Sequence, residues 1–318
     1  MRATPDPVSG RSQVTGRVSV VITHYRAQDE LLACLDTIAG LPGAQHLEVV
    51  VADSDAEPHT AALVDEHLPG TRYVPFASNC GYAALVNAGL AVTDRPYVLV
   101  LNADIQVTDE LLPRLVAHLD EHPDVGIVGP GVLGGDDHHQ TTAFRFYRPS
   151  TIAYRRTPLG SRTGRGRAEL ERFEMVHEVS HARTHDVPLE ADWLMGAAML
   201  VRRSAAVEVG PMDESYFLYF EDVDWCLQFW QRGWRVHQLP GVQCRHLWSR
   251  ASAKGGVAAL LVNPLARRHL RSALKFFLRH GVSPSRPRIA APVRPADRAV
   301  ALPEQRSVDD DISARAAS

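Results

Sequence analysis

The stretch Tyr97-Val98-Leu99-Val100-Leu101-Asn102-Ala103-Asp104 decides how this chain folds, because five apolar residues run unbroken into an amide and a carboxylate. A short continuous apolar run marks a strand buried on both faces, as in a parallel sheet. Ligands of open α/β sheets sit just past the carboxyl ends of such strands. Asp104 is therefore placed to hold a divalent cation on bound phosphates. The plainer alternative is that it starts a turn before a helix beginning near Asp109. The motif by itself leaves both open.

Working outward, residues 18–23 (Val-Ser-Val-Val-Ile-Thr) are largely β-branched and predict a first strand, running into His24-Tyr25-Arg26. Leu31, Leu35 and Ile38 share one face of a helix over 29–39. A second buried strand over 47–52 closes with Asp53-Ser54-Asp55, and a helix over 60–67 and a strand over 72–76 follow. Asn79-Cys80-Gly81-Tyr82 turns into a helix over 83–91 that carries Asn87. Strands alternating with helices at this spacing predict βαβ units in an α/β domain: a mainly parallel, right-handed sheet flanked by helices. A dinucleotide-dependent dehydrogenase would need a glycine-rich first turn. Thr23-His24-Tyr25-Arg26 has no glycine, which removes most of the case for it.

A further strand is predicted over 126–134. Residues 135–190 then lose their periodicity and read as a long excursion with one short helix over 169–173. The excursion holds Asp136-Asp137-His138-His139, Arg155-Arg156 and a basic glycine-rich piece over 161–167. The histidine pair reads as solvated loop ahead of metal ligand. Regularity returns over 191–201, where small residues at 196–198 predict a strand packed closely against something bulky. A short helix over 204–209 ends at Gly210.

The second dense constellation is Tyr216-Phe217-Leu218-Tyr219-Phe220-Glu221-Asp222-Val223-Asp224-Trp225, opening a helix that stops at Gly233. Val223, Leu227 and Trp230 share its core face. Carboxylates in a first helical turn are favoured by the helix dipole, and that account suffices for Asp224. Glu221 and Asp222 directly follow aromatic residues, where a carboxylate can have its pKa moved and serve as a general base. A strand over 236–239 precedes Cys244-Arg245-His246. Residues 263–280 predict a basic amphipathic helix with Leu265, Leu270, Leu274, Phe277 and Leu278 on its apolar face. Docking on the domain and lying on an anionic membrane surface are its two readings.

The whole chain sets bounds on these readings. Its 318 residues can bury a large core, and 45% hydrophobic with 22% charged residues is ordinary globular composition. A net charge of −3 provides no field to recruit nucleic acid. The four cysteines (Cys34, Cys80, Cys226, Cys244) have no metal spacing and fit a reducing compartment. With no signal-like start and no apolar run of spanning length, the expectation is a cytoplasmic protein, peripheral at the inner face of the cell membrane. The expected organisation is a disordered lead-in (1–16) and a catalytic domain over 17–256. Within it lie a nucleotide-binding half (17–134), the excursion (135–190) and an acceptor half (191–256). The basic helix segment (257–282) and a disordered tail (283–318) complete the chain.

Taken in order, these motifs resemble the inverting family-2 glycosyltransferases, whose fold is the GT-A-type nucleotide-diphospho-sugar transferase domain. The resemblance covers roughly residues 17–280. It rests on residues 18–25, Asp53, Asn79-Cys-Gly-Tyr with Asn87, Leu101-Asn-Ala-Asp104, Asp192-Trp-Leu-Met-Gly-Ala197, Glu221-Asp-Val-Asp224 and His246. The piece Arg156-Thr-Pro-Leu-Gly160 with Asp192-Trp193 is similar to the bacterial rhamnosyltransferase branch.

The resemblance implies that Thr23, Tyr25, Asp53, Asn79, Asn87, Asn102 and Ala103 line the nucleotide side. It implies that Asp104, with His246, holds a divalent cation, Mg²⁺ or Mn²⁺, on the diphosphate. Asp222 is then the base that deprotonates the acceptor hydroxyl, with Glu221, Asp192 and Trp193 around the acceptor. The partners implied are a nucleotide-diphospho-sugar donor, dTDP-rhamnose within that branch, and a glycan or lipid-linked glycan acceptor of the cell envelope. A homo-oligomer is left open. Two departures stand out: Asn102 replaces the first acid of the usual Asp-x-Asp, and Ser54-Asp55 follows Asp53 where Asn-Gly is usual. A nucleotidyltransferase would want a basic glycine-rich loop after strand one, which is missing. A non-catalytic nucleotide-sugar-binding module would be expected to have lost Asp104 or Asp222, and both are present.

Overall fold

The computed structural model describes residues 13–246 and 263–287. The first 12 residues, residues 247–262 (the expected end of the catalytic domain and start of the basic helix segment) and the tail beyond 287 lie outside the described residues. The strands are β1 (Val18–His24), β2 (Glu48–Ser54), β3 (Arg72–Phe76), β4 (Tyr97–Asn102), β5 (Ile105–Gln106) and β6 (Val125–Gly134). The second half adds β7 (His139–Gln140), β8 (Ala143–Phe144), β9 (Leu189–Glu190), β10 (Trp193–Leu194), β11 (Ala198–Arg202) and β12 (Arg235–His246). The helices are α1 (Gln28–Ala39), α2 (Thr60–His67), α3 (Tyr82–Ala91), α4 (Leu111–Glu121), α5 (Pro149–Arg156) and α6 (Leu159–Arg162). They continue with α7 (Gly164–Phe173), α8 (Val176–His185), α9 (Arg203–Val209), α10 (Glu221–Gln231) and α11 (Pro264–His280).

The main sheet runs β3-β2-β1-β4-β11-β6-β12-β5. β1 is parallel to β2 and β4, β2 to β3, and β6 to β12, while β11 lies antiparallel between β4 and β6. Every residue of β1 is buried because the sheet is covered on both faces. Successive side chains alternate: Val20 and Ile22 join Leu31, Leu35 and Leu115 on one face, and Val21 joins Val86 and the aromatic core on the other. Strand order reverses between β1 and β4, so their carboxyl ends open a crevice.

The excursion differs from its expectation. It is mostly helical, with α5 to α8 following one another from residue 149 to 185. Few large apolar residues mark these helices, and their buried contacts are single anchors such as Phe173, Met175 and Ala182, which leave no periodic stripe to read. At the two ends, residues 13–15 are helical and Val14 packs on the core, and Arg286 pairs with Asp192 at 2.8 Å. Residues 13–16 and 283–287, expected to belong to the disordered ends, are thus part of the described structure.

The face of α11 is a second correction. Its buried side chains are Ala266, Ser272, Ala273 and Phe276, whereas Leu270, Leu274 and Leu278 are 45%, 59% and 79% exposed. Charge decides this orientation. Lys275 and Arg279 reach Asp213 at 3.1 and 2.6 Å, and His280 reaches the buried Asp224 at 2.6 Å. These pairs turn the leucines outward.

Candidate active site

Register brings the polar residues together. Pairing of Thr23 with Asn102 between β1 and β4 lets the Thr23 hydroxyl donate to Asn102 Oδ1 at 3.1 Å. Pairing of His24 with Asp53 between β1 and β2 sets His24 Nδ1 2.6 Å from Asp53 Oδ1. Because His24 Nε2 accepts from the Ala27 N–H, Nδ1 carries the proton and donates to Asp53. Tyr73 donates to the other oxygen of Asp53. Asp53 is thus 1% exposed with both oxygens occupied, and it braces the ends of β1, β2 and β3.

Other sequence candidates divide the same way. Asn87 donates to the Met212 carbonyl at 2.9 Å and accepts from its N–H at 2.9 Å, tying down the loop before α10. Asn79 accepts from the Gly81 N–H at 3.1 Å and shapes the turn into α3. Ala103 is buried, and its N–H donates to the Thr23 carbonyl. Tyr25 stands 45% exposed at the mouth of the crevice. Asp192 departs most from its expected place at the acceptor. Its carboxylate accepts from the Phe146 N–H at 2.8 Å and pairs with Arg286 and Arg145, away from the cavity.

Asp104 and His246 do meet. The antiparallel pairing of β5 with β12 sets His246 opposite Ile105, and His246 Nε2 lies 2.9 Å from Asp104 Oδ2. The imidazole is oriented by Gln140 at 2.9 Å from Nδ1. Asp104 Oδ1 is buried with no hydrogen-bond partner, an expensive state for a carboxylate oxygen unless something else satisfies it. A hard cation on a bound diphosphate fits that oxygen, since such ions take one or two protein ligands plus phosphates and water. Among the described residues no group of three or more His, Cys, Asp or Glu gathers around a metal position.

The helices between residues 149 and 185, the segment over 193–197, the start of α10 and α11 surround a cavity of about 630 Å³. Asn102, Ala197 and Gly196 line it at the sheet, Glu221 and Asp222 at α10, Trp193 and Tyr147 on the aromatic wall, and Arg155, Arg156 and His269 beyond them. Trp193 stacks on Phe144 at 4.4 Å and donates through Nε1 to the Arg145 carbonyl, so the ring is fixed. Tyr219 and Phe220 both have positive φ (69° and 73°), a costly backbone for side chains of this size. That turn opens α10 with its first carboxylates on the cavity wall.

Asp222 accepts from the Gly196 N–H at 3.1 Å and the Val223 N–H at 2.9 Å. Burial pushes its pKa up to about 6. Burial, and then the neighbouring Asp222, push Glu221 far higher, and its Oε2 is buried without a partner. Of the two, Asp222 therefore ionises first. Gly196 also packs directly against the Tyr82 ring, the bulky neighbour expected beside the small residues 196–198. Tyr147 and His269 carry no local signal in the sequence, whereas Tyr82 belongs to the Asn79–Tyr82 motif and Arg155 and Arg156 stand out as an adjacent basic pair.

The profile of the Glycosyl transferase family 2 domain matches residues 19–179. The chain belongs to that family. It is a glycosyltransferase, and its likeness extends to rhamnosyltransferases. The N-acetylglucosaminyl-diphospho-decaprenol L-rhamnosyltransferase of Mycobacterium tuberculosis is 25% identical over 261 residues, spanning 73% of this chain and 76% of that protein. The dTDP-rhamnosyl transferase RfbF of Shigella flexneri is 21% identical over 181 residues, 57% of this chain and 52% of that one. In fold, the chain resembles the mannosyltransferase PcManGT of Pyrobaculum calidifontis, solved with GDP-Man and Mn²⁺. The TM-score is 0.54 at 19% identity, covering 84% of this chain and 66% of the other. These likenesses bear out the GT-A-type fold expected from the sequence.

Proposed function

We propose that this transferase moves rhamnose from dTDP-rhamnose, with inversion, onto a hydroxyl of a lipid-linked glycan precursor of the cell envelope. The observation that carries the reading is Asp222, a carboxylate with a raised pKa at the wall of a sugar-sized cavity that opens toward the carboxyl ends of β1 and β4. Donor and acceptor chemistry are supported by the names of the mycobacterial and Shigella relatives.

An acceptor hydroxyl is a weak nucleophile, and Asp222 within hydrogen-bond reach takes its proton as the oxygen attacks the anomeric carbon. The N–H groups of Gly196 and Val223 hold the carboxylate in place for that step. Trp193 and Tyr147 offer flat apolar faces for the sugar rings. Asp104 and His246 are the residues that would hold Mg²⁺ or Mn²⁺, which when bound supplies positive charge to the departing nucleoside diphosphate. Thr23, Asn102 and Tyr25 lie at the strand ends where the nucleotide would enter.

Among the described residues no helix is long and apolar enough to cross a membrane. The outward stripe Leu270, Leu274 and Leu278, flanked by exposed Arg267 and Arg271, suits contact with an anionic lipid surface at the inner face of the cell membrane. Such contact would bring a lipid-linked acceptor to a cavity that α11 itself lines through Leu265, Ala266 and His269.

Calorimetric titration with dTDP, UDP and GDP, each with and without Mn²⁺, tests the donor side. Metal-dependent binding of dTDP that Asp104→Ala abolishes is expected. Binding of UDP or GDP in place of dTDP would refute the rhamnose donor.

A further inference from the structure

The cavity has two chemically different ends. At one stand the carboxyl groups of Asp222 and Glu221; at the other, Arg155 and Arg156 arrive from the last turn of α5. Arg155 is held firmly, donating to the Tyr147 hydroxyl at 2.9 Å and lying over the Phe173 ring at 5.3 Å. Neither contact neutralises its charge. Arg156 is partly desolvated and faces the like charge of Arg155 and the uncharged phenols of Tyr147 and Tyr219, with no carboxylate among them. His269 closes this end of the cavity, with its Nδ1 buried and without a hydrogen-bond partner. Burial and the two guanidiniums push its pKa down to about 3, so it is a neutral imidazole there.

Two adjacent guanidiniums with no acidic partner repel one another, and Arg156 is also partly desolvated, a cost that a bound anion removes. Guanidinium forks match phosphate oxygens, and the contacts that hold Arg155 leave its charge available in a fixed place. The imidazole Nδ1 adds one more polar atom with no protein partner. Glu174 also lines the cavity, yet among the described residues it forms no ion pair with either arginine. We propose that Arg155 and Arg156, with His269, bind a phosphate group carried by the acceptor, so that the acceptor sugar is placed with its hydroxyl toward Asp222. This deepens, and rests on, the assignment of the cavity as the acceptor site. It also makes the enzyme select phosphate-linked over neutral glycans.

A phosphate could instead come from the donor diphosphate, and the test separates the two sources. Calorimetry with a short-chain alkyl diphosphate, and in parallel with dTDP plus Mn²⁺, needs no turnover. The native protein is expected to bind both. Arg156→Gln and Arg155→Gln should weaken the alkyl diphosphate roughly tenfold or more and leave dTDP unchanged, while Arg156→Lys retains part of the affinity. Thermal melts identify any variant that has lost its fold; for such a variant the Lys substitution provides the comparison. Failure of the native protein to bind the alkyl diphosphate, or equal weakening of dTDP, overturns the proposal. An Asp222→Asn variant that still transfers sugar would undermine the acceptor-site assignment without touching this binding result, so the two failures are distinguishable.

Discussion

The backbone N–H of Gly196 donates to Asp222 Oδ2 at 3.1 Å, joining the turn that leads into β11 of the main sheet to the first turn of α10. The Gly196 carbonyl in turn accepts from the Tyr82 hydroxyl at the start of α3. One residue thus links α3, the start of β11 and Asp222. The position of Asp222 follows from this clamp more than from α10 alone.

Gly196→Ala tests the clamp. A Cβ there would lie 2.6 Å from the Tyr82 Oη and 2.9 Å from Cζ, both part of a half-buried, hydrogen-bonded side chain. The expected result is a loss of about 1–3 kcal/mol in denaturant unfolding, together with a fall in kcat. In a Tyr82→Ala background the same substitution should add little further cost, because the clash is gone.

Activity and stability should respond to pH in opposite directions through Asp222. As a base it must be ionised, so kcat/KM rises with pH through about 6 and falls below it. Its folded pKa lies above the ordinary 3.8, so the unfolded chain ionises more easily and the charged form opposes folding. That penalty is present above about 6 and is relieved as pH falls toward 3.8. Paired rate and urea-unfolding profiles between these values check both signs.

Asp224 sits two residues from the base and serves differently. It is fully buried and accepts from Gln228 at 2.5 Å and His280 at 2.6 Å, fastening α11 to α10. Asp224→Ala should cost about 3–5 kcal/mol, the penalty of breaking a buried polar cluster from one side. Protease sensitivity of α11 should rise in the same variant.

Replacing Leu270, Leu274 and Leu278 by serine should leave the melting temperature nearly unchanged, since all three side chains face outward. Co-sedimentation with vesicles containing anionic lipid should be lost. Undiminished vesicle binding by the triple variant would rule out this stripe as the lipid contact.

The βαβ half was readable because its strands are unbroken apolar runs and its helices carry clear stripes. The helix over 60–67 and the strand over 72–76 match residue for residue. The pairing of Asp104 with His246, expected from the family likeness, depends on strands 142 residues apart meeting in register. Asp53 and Asp192 look like site carboxylates in sequence, yet distant partners occupy them: His24 and Tyr73 for one, Phe146 and Arg286 for the other. Spacing along the chain carries no trace of such partners. The same limit explains α11, where counting leucines selects a face and the carboxylates of Asp213 and Asp224 select the opposite one.

The most direct test of the central claim is transfer from dTDP-rhamnose to a diphospho-lipid-linked N-acetylglucosamine, in the presence of Mn²⁺, by the native enzyme and by Asp222→Asn, with dTDP affinity measured alongside. The account predicts rhamnosylated product from the native enzyme, a loss of about 10²–10⁴-fold in the variant, and equal dTDP affinity in both. Near-native turnover by Asp222→Asn would contradict it.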